Sequence, residues 1–406
     1  MLVVLLAGLL FLREPHVQQW DDVFLRWLLE HSNANLPAVP LTVVELGVDS
    51  VTDKAAPDEP AATDGGRNAA VSPLEFALFL QSVLDFHPEV VAFENILKWR
   101  ERDKDQEQVF LDQAMRVPKL LLAAELTDTP DPDAPGSEIR GFTQVTGRRG
   151  NLEAFSGVGR QPSEDMRLIS TMSFVNLPDD VSSDVRVPLL FLHRGEVVPS
   201  FALQAILLWL RITPAEVKVD IGSQITLPDG RRIPIDSGGS MLINPNAAKN
   251  ARHLTLNELM LATQQRESGN KLNVDIPDFA NQIVLARTPA NPLSPPDIFA
   301  ATIATLEGNK FLRRIPKWFD VAILVALVVS VGVVRRFDAA DLVLCAIAFT
   351  AAYCLIALGV IARWSIWLPG CLPLGAVWLL IAIVIASRRS FEPNRPGSST
   401  IPPPIA

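Results

Sequence analysis

Three long apolar runs near the end of the chain constrain its fold more than any other feature. Trp318–Val334, Ala339–Ala362 and Ile366–Ala386 each hold roughly 17–24 residues, long enough to cross a hydrocarbon core about 30 Å thick. Backbone polar groups in lipid must be satisfied internally, so each run is expected to be a helix. A polar block of roughly 300 residues precedes them, and only Ser387–Ala406 follows. The layout predicts a globular part ahead of the membrane bundle, with no catalytic domain behind it.

Val3–Leu12 is also apolar, but short for a span. No Lys or Arg precedes it, and no small-residue cleavage pattern follows before Arg13. It reads as the end of a transmembrane helix that starts upstream of Met1, the alternative being a buried core helix. One helix before the block and three after it would export the block and leave the tail inside. The charges weigh weakly. Arg335, Arg336, Arg388, Arg389 and Arg395 would lie inside, and Arg313, Arg314, Lys317 and Arg363 outside, close to a tie under the positive-inside rule. Pro369 and Pro373 fall in the last run and are expected to kink it. The expected divisions are residues 1–12, a truncated N-terminal helix; 13–316, the globular domain; 317–387, the three-helix bundle; and 388–406, a disordered cytoplasmic tail.

Mean hydropathy is +0.24, as expected for a globular domain joined to a few spans. The chain has 36 Lys and Arg and 45 Asp and Glu, a net charge of −9. Seven of those bases and four of those acids lie at or beyond Lys317, which leaves 29 bases and 41 acids in the block. So acidic a domain has no footprint for nucleic acid and no pull toward anionic lipid. Cys345, Cys354 and Cys371 all sit in the apolar runs, so the block holds neither a disulfide nor a thiolate metal site. Either an exported or a cytosolic domain could lack cysteine. His16, His31, His87, His193 and His253 are scattered without metal-ligand spacing. There is no glycine fingerprint after a strand and no nucleophile–base pair. No catalytic residue, metal or cofactor is expected.

Within the block, Leu41–Leu46, Val90–Phe93, Lys119–Leu126, Met172–Leu177, Pro188–His193, Met241–Ile243 and Gln282–Leu285 read as strands. Leu74–Phe86 follows Ser72-Pro73, a helix-start signal. Asp105–Met115, Ser200–Arg211, Leu256–Ala262 and Asp297–Gly308 also read as helices. Gln224–Leu227 and Arg232–Ile235, joined through Pro228-Asp229-Gly230, read as a hairpin. Such alternation predicts an α/β domain with a largely parallel central sheet.

In order and spacing these landmarks resemble the type 2 CHASE domain, an extracellular sensor of bacterial receptors. They are VVELGVDS (Val43–Ser50), VVAFENILK (Val90–Lys98), DQEQVFLDQAM (Asp105–Met115) and KLLLAAEL (Lys119–Leu126). The most specific piece is Ser182–Leu207, similar to the family's Asp-Gly-x-x-Arg-x-x-Pro-Leu strand followed by a Pro-Ser-x-Ala-Leu helix. Arg231–Pro245, Gln282–Pro292 and Ala300–Pro316 continue the likeness into the three spans. Several positions depart from it. The acid after the first strand would align near Gly47, with Asp49 close by. A Trp-Pro-Trp-x-Arg motif is replaced around Ser72–Leu74. Glu94 stands for an Asp, and Arg287 for a Gly. The family's usual cytoplasmic kinase, cyclase or phosphodiesterase has no counterpart in this sequence.

The resemblance implies an extracytoplasmic α/β sensor in the bacterial inner membrane, with four transmembrane helices. It would perceive an unknown small-molecule or environmental signal and act as a homodimer through a membrane or cytoplasmic partner, a kinase or cyclase. Its surroundings would be the lipid bilayer, with no nucleic acid. The alternatives are a membrane-anchored envelope enzyme and the sensor half of a split receptor. The candidate ligand-binding residues are Asp49, Glu94, Asp184, Arg186 and Arg287. Asp49 and Glu94 follow buried strands, at the end where open α/β sheets form ligand crevices; each could instead fix a loop. Asp184 and Arg186 stand two apart, on one side of an extended stretch, and could instead form a structural salt bridge. Arg287 could grip an anion or be an exposed loop charge. Asp49, Glu94 and the Asp184–Arg186 pair are expected to share one crevice.

Overall fold

Short, fully apolar strand runs cannot leave either face in water, and helices cover both faces here. The computed structural model describes residues 15–32, 39–47, 71–99, 103–130, 140–178, 185–268, 276–288, 297–315 and 338–390, with parts of 318–329. The chain divides into two compact units, residues 33–313 and residues 1–32 with 314–406.

The 33–313 unit is built on six strands: β1 (Leu41–Glu45), β2 (Val90–Phe93), β3 (Leu120–Ala124), β4 (Thr171–Phe174), β5 (Arg252–Thr255) and β6 (Ile283–Arg287). They lie in the order β5-β1-β6-β2-β3-β4, and every neighbouring pair is parallel. The α/β class and the parallel sheet are as expected from the sequence.

Alternate side chains divide between two cores. Val43, Ala92, Leu121 and Leu285 meet Phe201, Ile206, Phe299 and Ile303 on one face. Val44, Phe93, Leu122 and Val284 meet Phe79, Phe110 and Leu259 on the other. The first face is covered by helices Phe201–Leu210 and Ile298–Glu307, the second by Pro73–Leu84, Lys104–Ala114 and Leu256–Ser268. The helix-start signal holds: Ser72 Oγ accepts from Glu75 N at 3.3 Å, with Pro73 at the first position. The expected hairpin forms from Gln224–Thr226 and Arg232–Pro234 within a four-stranded sheet, and Gly230 takes φ 89° in its turn.

In the other unit, α1 spans Pro15–His31, α2 Ala339–Trp364 and α3 Cys371–Ser390. Among the described residues, α2 is long and apolar enough to cross a membrane, and Cys371–Ala386 is a shorter apolar helix. The described residues between 318 and 329 are helical. Ile366–Trp367, placed by sequence at the start of the last span, is instead a short strand that pairs with Arg313–Arg314. Pro369 therefore precedes α3. Pro373 sits in its first turn, where a missing N–H costs nothing. The two prolines mark the helix start. Asp21 Oδ1 accepts from Cys371 N at 2.9 Å, Arg314 reaches Asp21 at 3.6 Å, and Ile315 N donates to Trp367 O at 3.2 Å. Residues 1–12 and 391–406 lie outside the described residues.

Candidate functional site at the carboxyl edge of the sheet

The chain runs outward through β1, β2, β3 and β4, then returns to place β5 outside β1 and β6 between β1 and β2. The helices after β1 and β2 cover one face, and the helix after β6, Ile298–Glu307, covers the other. The carboxyl ends of β1, β6 and β2 therefore flank a point where the connections part to opposite faces. Open α/β sheets place ligand crevices at such points.

Charged groups gather at this edge. Glu45 ends β1 in register with Arg287, which ends β6. Arg287 Nη2 donates to Glu45 Oε1 at 2.5 Å, and Nη1 donates to Asp297 Oδ1 at the start of the Ile298–Glu307 helix. The Arg287 side chain is only 12 % exposed. Burial opposes its charge, but the pairing with Glu45 and Asp297 and the field of Glu94 outweigh burial and raise its pKa above the ordinary value. Glu94 is buried just past β2, and its N–H donates to Ala286 O at 3.2 Å. Asn95 locks the next step: its Nδ2 donates to Thr288 Oγ1 at 2.8 Å, and its Oδ1 accepts from Thr288 N at 3.0 Å. Asp297 holds a left-handed backbone, φ 66°, which Asp tolerates better than most residues.

Arg287 is thus not an exposed loop charge. Both of its terminal nitrogens are committed to carboxylates. An anion that displaced Asp297 from Arg287 would disturb the start of the Ile298–Glu307 helix.

The sequence-derived candidates divide. Glu94 and Arg287 lie together at this edge. Arg186 lies on a different, two-stranded sheet, Arg186–Pro188 with Ser240–Leu242. Its Nη1 donates to Asp236 Oδ2 at 2.5 Å. Asp236 Oδ1 in turn accepts from Gly238 N and Ser240 N, each at 2.9 Å, so the pair braces the turn before Ser240. Asp49 and Asp184 lie outside the described residues. Glu45, Asn95, Thr288 and Asp297 were not anticipated. The available signal was a pair of apolar strand runs ending in opposite charges, LTVVE and IVLAR.

A second ionic cluster lies at the opposite edge, where Lys119 Nζ and Arg211 Nε, the latter at 3.0 Å, hold Glu89 just before β2. Arg211 and then Lys119 lower the Glu89 pKa to about 2. No group of three or more His, Cys, Asp or Glu residues able to hold a metal occurs among the described residues.

A family model described as the CHASE2 domain matches residues 1–334. No curated protein and no solved structure matches the chain.

Proposed function

The chain belongs to the CHASE2 domain family, a family of sensor domains, and from that premise we propose a membrane-anchored sensor whose 33–313 unit reads a signal outside the cytoplasm. It is proposed to be a receptor and not an enzyme, in the bacterial inner membrane, with one helix before the sensor unit and three after it. The observation that carries this reading is the match over residues 1–334, which takes in the whole switch-point cluster of Glu45, Arg287, Glu94 and Asp297.

The geometry around α2 and α3 supports the orientation. Arg314, Ile315, Trp367 and Cys371 meet at one end, together with Asp21. The turn between α2 and α3 therefore lies at the end of this unit where its chain resumes at Arg314. With 26 residues, α2 is about 39 Å long at 1.5 Å per residue, so its first residue, Ala339, lies toward the far side. Arg388 and Arg389, at the end of α3, lie on that side as well.

Signal transfer is proposed to run through the Ile298–Glu307 helix. It starts at the switch-point cluster with Asp297 and ends seven residues before Arg314. The output is proposed to be a kinase or cyclase partner acting on a homodimer. Alkaline phosphatase and fluorescent-protein fusions at Asp131 and Ala406 test the orientation. Phosphatase activity is expected at Asp131 and fluorescence at Ala406. Phosphatase activity at Ala406 with none at Asp131 would overturn it.

A further inference from the structure

Helix α1 is apolar on two opposite faces, and only one of them is covered. At 3.6 residues per turn, Leu25, Leu28, Leu29 and Asp21 share one face, and all four are buried. That face packs against both α2 and α3, and Asp21 receives the first N–H of α3. Trp20, Val23 and Trp27 share the other face, and they are 71 %, 57 % and 38 % exposed. Between the two faces lie Gln19 and an exposed Arg26–Glu30 pair at 3.1 Å. Two tryptophans and a valine in one uncovered stripe make an apolar patch that a protein in water tends to hide.

Resting on the membrane reading above, we propose that α1 is a membrane-surface helix, lying in the extracytoplasmic lipid–water interface with Trp20, Val23 and Trp27 at the headgroup–acyl boundary. Its level relative to the spans comes from its contacts. Asp21 meets the start of α3, and Phe24 lies so close to Gly370 that a Cβ there would come within 2.5 Å of its ring. Both contacts sit at the turn that ends α2, so α1 crosses the end of the helical hairpin and not its middle.

Tryptophan marks this level elsewhere in the unit. Trp364 ends α2 and is exposed, and Trp318 is exposed three residues past Ile315. Trp367 lies under the Arg314 guanidinium, 5.2 Å from its ring centre. Indole rings concentrate at this depth because one end is apolar and the N–H is wet. Exposed apolar side chains also run along α2, at Leu344, Ile347, Leu355 and Ile356. Arg26 is the one Lys or Arg in α1, against Asp21, Asp22 and Glu30. The occupant is therefore the apolar boundary of a zwitterionic bilayer, not an anionic lipid surface.

The test uses the full chain in phosphatidylcholine vesicles, with Cys345, Cys354 and Cys371 replaced by Ala. Trp20→Cys, Val23→Cys, Trp27→Cys and Leu355→Cys each carry an environment-sensitive fluorophore. Quenching is read with lipids brominated near the carbonyls or near the chain ends. At positions 20, 23 and 27 we expect blue-shifted emission, quenched at least twofold more by the shallow bromines; position 355 should read as deep acyl chain. Water-like emission at 20, 23 and 27, with 355 still deep, would overturn the surface helix and leave the membrane reading standing. Quenching at 20–27 as deep as at 355 would overturn it by placing α1 inside the core. Blue-shifted emission that no bromine quenches would mean that protein covers the face, which also overturns it. Water-like emission at 355 would overturn the membrane reading itself, and the surface helix with it. If the tryptophan variants fail to fold, Val23→Cys alone decides, being exposed and close in size.

Discussion

Two carboxylates give the folded protein opposite responses to pH. Glu307 ends its helix nearly sealed from solvent, and neither carboxyl oxygen has a partner in the structure. The nearby Arg231 is occupied. Its Nη1 donates to Leu306 O at 3.3 Å, its Nε meets Asp229 at 2.9 Å, and its guanidinium lies over Trp209. Burial therefore dominates and raises the Glu307 pKa from 4.5 to about 8. Between those values the native state holds a proton that the unfolded chain has lost. Stability should fall as pH rises from about 4.5 to about 8, by an amount on the order of 1.4 kcal/mol per pH unit before solvent relaxation reduces it. Glu307→Gln should flatten that slope in thermal melts at pH 5 and pH 8; an unchanged slope would refute the account. Glu89 works in the opposite sense. Its lowered pKa contributes stability that is complete above about 4.5 and disappears as pH falls toward 2, and Glu89→Gln should remove that acid sensitivity. At the switch point, Arg287→Met would leave Glu45, Glu94 and Asp297 without their shared cation. Breaking a buried pair costs roughly 3–5 kcal/mol, so a large drop in melting temperature is expected. Adding Glu45→Gln should recover part of it; no recovery would mean that the two residues are not coupled. Little of this cluster was legible in the sequence. Glu94 and Arg287 stood out because they follow buried strands, but Glu45 and Arg287 are 242 positions apart, and no local pattern links them.

At the scale of elements, legibility followed apolar patterning. Val90–Phe93 was read with the boundaries it has, and the Ile298–Glu307 and Phe201–Leu210 helices were each read one residue long at either end. These segments are buried almost throughout, so hydrophobicity alone marks them. β5 was missed. As an edge strand with the sequence RHLT, it pairs only with β1 and leaves Arg252 and His253 exposed. Helix α1 was missed too, because its two apolar stripes are broken by Asp21, Asp22 and Arg26, and its role depends on partners far along the chain. Asp21 provides a way to probe it. Its carboxylate replaces a local cap for α3, and losing a cap costs about 1 kcal/mol. Asp21→Ala should lower the melting temperature of the detergent-solubilised chain by a few degrees. Asp21→Asn keeps an acceptor for Cys371 N and should cost less. Equal losses from both would show that the ion pair with Arg314, and not the cap, is what matters.

At the scale of the whole molecule, the distribution of exposed apolar side chains separates two solvents. Exposed large apolar residues in the 33–313 unit, such as Leu74, Val109, Leu168 and Leu261, stand singly on different elements, as they do on ordinary water-facing surfaces. In the other unit they recur along every long helix, from Trp20 and Val23 in α1 through Leu344, Leu355 and Ile356 in α2 to Trp378, Leu379 and Ile383 in α3. A surface of that kind is stable only against lipid or more protein. The 33–313 unit contains both faces of its parallel sheet and the helices that cover them, which is a complete core for its size. The fragment covering residues 33–313 should therefore be soluble without detergent and melt in a single cooperative transition. It should also keep the stability slope between pH 5 and pH 8 that Glu307 imposes, because Arg231, Trp209 and Glu307 all lie within it. Circular dichroism melts and gel filtration of the fragment would check this. A fragment that aggregates, or melts without cooperativity, would show that its core is completed by the membrane segments. A cooperative melt without the pH slope would keep the two-solvent division and count against the sealed carboxylate alone.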